Sequence, residues 1–466
     1  MGYSRDAWGF DEYHPVAQNG SNLYGKDGIG FMIVDSLDVL IIMGLDEEYK
    51  TAREWVANVL DFNQNSYVSL FETTIRVLGG LLSAYHLSGE DHMYLTKATD
   101  LADRLLGAFN QSESVFPIKF VNLNSTSRRN YDGSCLADIG TLQLEFKYLS
   151  HLTGDPKYWN YVEKIMLRID ELEKFDGLAR NYVSVSRATF SGALIGLGAL
   201  GDSYYEYLLK QYLLTNKTEQ MYLRMYNEAI TGVKKHLLKR TNSSHLFYLG
   251  EFYYYNGGKK TRFVPRMEHL TCFAGALFAL GSEKIHDSFS EENLIIGKKL
   301  THTCCEMYFT QATGLAPEYV LYNTNSTGDT LYDNGRKHNV LRPETVESLF
   351  LLWRVTGDIQ YRQVEFLYLL TFKEWGWRIF QSFENYSRFP EGGYTEIVDV
   401  DAIPPKRTDN MPTFWLAETL KYLYLLFEDP DNDLLSLDKY VFNTEAHPLP
   451  IFVPSEEIRG EGWNRQ

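Results

Sequence analysis

S-A-Y-H-L-S-G-E-D-H-M-Y (Ser83–Tyr94), Y-L-S-H-L-T-G-D-P-K-Y (Tyr148–Tyr158) and L-L-W-R-V-T-G-D-I-Q-Y (Leu351–Tyr361) are three copies of one local design. A weaker copy, I-I-M-G-L-D-E-E-Y, spans Ile41–Tyr49. In the three full copies an apolar run gives way to Ser or Thr, then Gly, an acid and a closing Tyr. Gly just past a helix end takes the left-handed backbone that a side chain resists, and the acid after it caps the first N–H groups of a second helix. Each copy therefore predicts a helix stop joined at once to a helix start. Gly89 and Gly154 lie 65 residues apart, and Gly154 and Gly357 lie 203 apart, about three times as far. A period of about 50–70 residues suits a helix pair repeated around a ring or along a stack.

Outward from these junctions the chain stays helical in character. Strand signals are sparse; Gly177–Val185 and Leu246–Tyr255 read as hairpins projecting from helix ends. No linker rich in Pro, Gly or Ser divides the 466 residues. The reading is one mainly helical domain over 1–466, an α/α toroid or barrel. A 44% hydrophobic, 23% charged composition is globular, and a net charge of -16 has the wrong sign for a nucleic-acid backbone. Aromatic residues make up 15% of the chain, a supply suited to bulky helix–helix packing and to sugar stacking. The most apolar early run, Ile29–Leu45, is cut by Asp35 and Asp38 and falls short of a bilayer span. No signal peptide follows Met1. Seven N-x-S/T sequons, at Asn19, Asn110, Asn124, Asn216, Asn242, Asn325 and Asn385, exceed the roughly three expected by chance. They predict a secretory-pathway protein whose leader or anchor lies outside this sequence. Four cysteines allow one bridge but no disulfide scaffold.

Several carboxylates sit where a soluble helix has little use for them. In Ser69–Ser88, Phe71, Ile75, Leu78 and Leu82 share one face, while Glu72, Arg76, Gly79 and Ser83 form a narrow polar strip beside it. Glu72 and Arg76 could be an ordinary (i, i+4) ion pair. Gly79-Gly80 inside a helix costs about 1 kcal/mol per residue, which predicts a close approach there. Asp202 precedes an apolar helix and could be its N-cap. Glu344 and Glu347 follow Pro343 in what reads as a first helical turn, where acids complement the helix dipole. Glu418, three residues before Lys421, stands in an otherwise apolar helix that offers little to satisfy it. His269 could be a satisfied core histidine. No H-E-x-x-H, C-x-x-C pair, P-loop or G-x-G-x-x-G occurs, so zinc and nucleotide chemistry have no support. Acids gathered at one end of a toroid would make a sugar-processing pocket, because glycoside hydrolysis requires paired carboxylates.

At these residues the chain resembles the class I α-1,2-mannosidases, glycoside hydrolase family 47. The motifs are A-W-G-F-D-E from Ala7, F-E-T-T-I-R-V-L-G-G from Phe71, G-D-S-Y-Y-E-Y-L-L-K from Gly201, H-L-T-C-F from His269, L-R-P-E-T-V-E-S from Leu341 and F-N-T-E-A-H-P from Phe442. They run in family order through essentially the whole chain. The resemblance implies an (α/α)7 barrel and an inverting enzyme that removes terminal α-1,2-linked mannose from high-mannose N-glycans of glycoproteins. It also implies a calcium ion at the barrel floor. By motif, Glu72, Asp202 and Glu344 are the catalytic acids, with Glu344 the base and either Glu72 or Asp202 the proton donor. An inverting pair stands about 6.5–9.5 Å apart, leaving room for the water. Thr444 matches the calcium-binding threonine, whose hydroxyl and carbonyl oxygens suit a hard cation. Arg76, His269, Arg342, Glu347, Phe414, Glu418 and Glu445 match residues that line the sugar pocket or the calcium's water shell. Asp138, in C-L-A-D-I-G-T, stands where the family more often carries Glu. Cys272 and Cys304 match the family's bridged pair.

Leu200 bears on which mannose is cut. Endoplasmic-reticulum members commonly carry Arg two residues before the catalytic Asp, whereas G-A-L-G-D is similar to Golgi members. H-L-T-C-F-A-G-A-L-F-A-L-G is also Golgi-like, and L-R-P-E-T-V-E-S is closer to the endoplasmic-reticulum type. The balance leans to the Golgi type and to broad trimming; Leu200 could equally pack beneath the following helix. The expected setting is the lumen of the secretory pathway, Golgi or endoplasmic reticulum, or the medium outside the cell. The protein is expected to be a monomer, with room for a membrane anchor ahead of Met1. The rival function is a mannosidase-like lectin with little turnover, which loss of a catalytic carboxylate would favour; all three are retained.

Overall fold

The computed structural model describes residues 2–109, 114–129, 132–255, 260–322, 330–331, 336–357, 372–428 and 434–458. The repeated junctions do what their chemistry requires. Gly44, Gly89, Gly154 and Gly357 all have φ between 65° and 76°. Asp91 and Asp155 then accept from the N–H groups of Met93 and Lys157 at 3.1 and 2.9 Å, opening the helices His92–Leu105 and Pro156–Glu171. The closing tyrosines are buried: Tyr94 donates to Tyr49 at 3.2 Å and Tyr158 to Asp103 at 2.7 Å. Tyr361 lies outside the described residues.

Seven helical segments form an inner ring. They are Phe31–Ile42; Leu70–Glu72 running through Thr73–Leu78 into Gly79–Leu87; Gln143–Thr153; Asp202–Leu214; Phe273–Ile285; Glu344–Thr356; and Trp415–Leu420 running into Lys421–Phe427. Each packs on the next, and the last returns to the first, which closes the ring. Inner segments beginning at Asp202, Phe273, Glu344 and Trp415 recur every 71 residues. Helices such as Asp46–Asn58, His92–Leu105, Pro156–Glu171, Gln220–Gly232, Ser290–Phe309 and Phe372–Tyr386 pack outside their inner partners. The result is an (α/α)7 barrel. The inner helix Phe31–Ile42 is buried nearly all round, including Asp35 and Asp38. A helix can be that apolar without a membrane when it lies inside a protein. Among the described residues no helix is long and apolar enough to cross a membrane.

Strands are short antiparallel pairs at helix ends. Gly177–Val185 does not fold on itself: only Tyr182–Ser184 is extended, between Gly133–Cys135 and Thr189–Ser191. Leu246–Tyr255 holds two strands that likewise pair elsewhere, with Leu238–Arg240, Lys260–Val264 and Leu194–Ile195. Each of these strands thus supplies one arm of a hairpin whose other arm lies just outside the run, at Thr189–Ser191, Leu238–Arg240 or Lys260–Val264, and local alternation does not fix where the turn falls. Cys272 and Cys304 are joined, Cα to Cα 5.9 Å, and tie the start of one inner helix to its outer partner. The sequon asparagines Asn19, Asn124, Asn216, Asn242 and Asn385 are exposed, while Asn110 and Asn325 fall outside the described residues.

Candidate active site

Inner helices of this barrel share one direction, because an outer helix returns the chain between each and the next. Their N-terminal ends therefore meet at one mouth. Helix N-termini favour negative charge, and this mouth is acidic. A cavity of about 290 Å³ opens there, lined by eight carboxylates (Glu72, Asp138, Asp202, Glu206, Glu344, Glu347, Glu418 and Glu445) against three cations, Arg76, Lys119 and Arg342. Leu200, Phe414 and Thr444 also line it.

The far end is closed by a hairpin, Tyr440–Phe442 paired with Pro448–Pro450, whose tip rises inside the ring. Asn443 donates to the Ile75 carbonyl at 2.9 Å and to Glu145 at 2.8 Å. His447 bridges Asp38 at 2.8 Å and Asp35 at 3.0 Å, and Lys421 donates to Asp38 at 2.8 Å and to the Ala446 carbonyl at 2.7 Å. Tyr207 faces the Thr444 N–H at 3.4 Å. The tip is thus held from five inner helices, and it presents Thr444 and Glu445 to the cavity. A Cβ on Gly79 would come within 2.6 Å of the Asn443 amide, and one on Gly80 within 2.7 Å of the Val34 carbonyl. The close approach expected at the glycine pair is therefore real.

Arg76 lies in a widened π-turn, Thr73–Leu78, of a kind frequent at functional sites. It donates to Glu72 at 3.0 Å, Thr413 at 2.9 Å and Glu445 at 2.5 Å, so the simple ion pair is one arm of a larger clamp. Glu418 also lies in a π-turn, Trp415–Leu420; Lys421 does not reach it and turns instead to Asp38. Asp202 is the first helical residue, after Gly201, and its carboxylate accepts from the Ser203 N–H at 2.9 Å. Burial pushes its pKa up to about 7, against the Ser203 bond and with help from the charges of Glu206, Glu344 and Glu268. Glu344 goes the other way. Burial would raise it, but the hydrogen bond and charge of His269, then Arg342, hold it below the ordinary carboxylate range.

His269 does not line the cavity; it stands behind Glu344. Its Nδ1 meets Glu344 at 2.7 Å, and its Nε2 faces the hydroxyls of Tyr308 at 2.8 Å and Thr345 at 3.2 Å. It is a satisfied core histidine whose satisfaction orients a cavity acid. Arg342 is held by both oxygens of Glu318, at 2.9 and 2.8 Å. Phe414 covers the Arg76 guanidinium, 5.7 Å from ring centre to Cζ. Asp138 accepts from Ser134 at 2.9 Å and the Cys135 N–H at 3.2 Å, and it pairs with Lys119 at 3.1 Å. Leu200 has φ 76°, a strained value for a branched side chain, next to Asp202.

On the floor, burial first and then neighbouring carboxylates push two acids well above the ordinary range, Glu418 with the charges of Glu445 and Glu344 and Glu445 with those of Asp35 and Glu72 against Arg76; burial raises Glu347 to about 8 despite Lys210. These acids hold their protons for want of cations, and a cation bound at the neutral oxygens of Thr444 would let them ionise. That donor set fits a hard divalent cation holding most of its own water, with carboxylates bonded to those waters. Among the described residues no cluster of three His, Cys, Asp or Glu side chains could ligate a metal directly.

Lys119, Glu206, Lys210, Glu145, His447 and the pair Asp35/Asp38 were not singled out as site residues from sequence. For Asp35 and Asp38 a signal existed, two acids one turn apart in an apolar helix. For the others the chain offers only isolated polar residues whose partners are remote.

Comparison with known proteins places this geometry. The model of the family described as glycosyl hydrolase family 47 matches residues 1–451. A mannosyl-oligosaccharide 1,2-alpha-mannosidase of Candida albicans is 44% identical over 490 residues, covering 100% of this chain and 83% of its own length. An endoplasmic reticulum mannosyl-oligosaccharide 1,2-alpha-mannosidase of Schizosaccharomyces pombe is 44% identical, with 96% of this chain and 86% of its own length covered. The solved structure of an alpha-1,2-mannosidase from Trichoderma reesei superposes with a TM-score of 0.85 at 30% identity, covering 97% of this chain and 96% of its own.

Proposed function

Because the chain belongs to glycosyl hydrolase family 47, we propose that its acidic cavity is the active site of an inverting, exo-acting mannosyl-oligosaccharide 1,2-α-mannosidase that trims high-mannose N-glycans. The observation that carries the reading is a pair of carboxylates in one cavity displaced in opposite directions, Asp202 up to about 7 and Glu344 below the ordinary range. Groups whose surroundings push them apart are an acid and a base in waiting.

Glu344, kept ionised by His269 and Arg342, takes a proton from water as the water oxygen bonds to the anomeric carbon. Asp202 gives its proton to the glycosidic oxygen as the carbon–oxygen bond breaks. The released mannose has inverted configuration, and each carboxyl regains its starting state by exchange with solvent. Asp202 suits the donor role better than Glu72, which already spends an oxygen on Arg76. Arg76 and Phe414 shape one wall, and Arg342 and Glu347 line the cavity around Glu344. Bound calcium would supply oriented charge for the sugar hydroxyls and the attacking water. Thr444 would hold it, with Glu347, Glu418 and Glu445 receiving its waters. Leu200, having no donors, leaves the mouth open to more than one branch.

The whole of 1–466 is read as one catalytic unit, monomeric, acting in the secretory-pathway lumen. The test is digestion of a defined high-mannose glycan. Successive loss of α-1,2-mannose, released as the β-anomer in proton NMR, is expected. Glu344→Gln should lose nearly all turnover while melting as the parent does, because the amide keeps the shape but not the basicity. A folded Glu344→Gln with near-normal turnover removes Glu344 from the mechanism, and retained anomeric configuration removes inversion.

A further inference from the structure

One cation in the cavity wall has no part in the chemistry above. Lys119 closes the loop before Phe120–Asn122, a strand paired with Tyr67–Ser69. Its carbonyl accepts from the Leu70 N–H at 2.9 Å, at the start of the helical segment that carries Glu72 and Arg76. Its ammonium reaches across to Leu136–Gly140, the short helix ahead of the inner helix Gln143–Thr153, and donates to Asp138 at 3.1 Å. Asp138 is itself fixed, because its carboxylate accepts from Ser134 and from the Cys135 N–H in a capping box. The lysine is therefore held at both ends, by its own backbone and by a rigid acceptor. Burial opposes its charge, but Asp138, with Glu72 farther off, keeps its pKa above the ordinary lysine value. An ammonium has three donors. Among the described residues Asp138 takes one, and the side chain lines the cavity with the others uncommitted.

Depth says which sugar those donors would meet. Side-chain exposure is 2% at Glu445 and 9% at Glu347 on the floor, against 32% at Lys119 and 38% at Glu72. In an exo-acting site the terminal mannose occupies the floor and the rest of the glycan leads out through the mouth. We propose that Lys119 is a substrate-binding residue for the leaving side, donating to hydroxyls of the sugar whose oxygen departs; this rests on the exo-mannosidase reading. The Asp138 pair aims it, and the remaining donors replace water on the incoming sugar.

The test uses the calcium-loaded protein with two probes, α-1,2-mannobiose as substrate and free mannose as an inhibitor that fills the floor alone. Lys119→Met should raise KM for mannobiose about tenfold, as expected for losing a charge-assisted bond. Inhibition by mannose should stay within twofold. Lys119→Arg should recover most of the loss, and Lys119→Gln should fall between. An unchanged KM overturns the proposal. So does parallel weakening of both probes, or a Lys119→Met that cannot fold while Lys119→Gln binds mannobiose normally; either makes the lysine a structural prop. A wild-type protein that cleaves neither mannobiose nor a high-mannose glycan overturns the functional reading itself, and the wild-type control separates that failure from the others.

Discussion

Asp202→Asn should abolish turnover and at the same time stabilise the protein, by an amount that grows with pH. In the unfolded chain Asp202 titrates near 3.8; in the cavity it titrates near 7. A folded pKa above the unfolded one means that the folded state holds a proton the unfolded state has lost. Stability therefore falls as pH rises from about 4 to about 7, then levels off. The gap of about three units corresponds to about 4 kcal/mol at full strength. Asp202 is half-buried and opens onto water, so roughly 2–3 kcal/mol is the expected cost at pH 8, and about 1 kcal/mol at pH 5. Asparagine removes the charge and keeps the acceptor for the Ser203 N–H. Urea denaturation of parent and variant at pH 5, 6, 7 and 8, in saturating calcium, gives the comparison. A variant no more stable than the parent at pH 8, or a difference flat across that range, would show that Asp202 is not a strained buried acid, and its role as proton donor would fall with it. The same titration sets the activity profile: kcat/KM should decline as pH rises through about 7.

Chelation of calcium should stop hydrolysis and lower the melting temperature, both reversed by added calcium, since ligand bound only to the folded state stabilises it; full activity in excess chelator, with no metal retained, refutes the floor assignment. Leu200→Arg should slow some glycan branches far more than others, because a guanidinium fork at the mouth holds one branch in a single pose; uniform slowing counts against Leu200 as the selector. Replacing Cys272 and Cys304 together should cost about 2–4 kcal/mol, the worth of closing a loop of 32 residues, with peptide mass mapping of the parent showing that bridge and no Cys305 partner.

What the sequence discloses and what it conceals divide along one physical line. Gly89, Gly154 and Gly357 could be read as helix ends because a positive φ and an acidic cap are local properties, settled within five residues. The glycine pair at 79–80 announced a close neighbour but could not say which. For Gly80 it is the Val34 carbonyl of the preceding inner helix, and for Gly79 it is Asn443, 364 positions away along the chain, brought there only when the ring closes around the hairpin tip. His447 and Asp38, 409 residues apart, meet for the same reason. Asp35 and Asp38 looked like interruptions of an apolar run; they are buried because His447, Lys421 and Arg76 bring the opposing charge to them. The proposed catalytic acids were legible through motifs, yet taken alone Glu72 passed for an ion-pair partner, Asp202 for a cap and Glu344 for a dipole complement. Asp202 and Glu344 each prove to be the first residue of an inner helix. A helix start is where an acid is cheapest to keep, and a barrel whose inner helices all start at one mouth collects those acids in one cavity. There the local preference, repeated around the ring, becomes repulsion. Burial, with that repulsion added, lifts Asp202 toward neutrality while His269 and Arg342 spare Glu344. The opposite displacement of Asp202 and Glu344 follows from the ring rather than from any single helix.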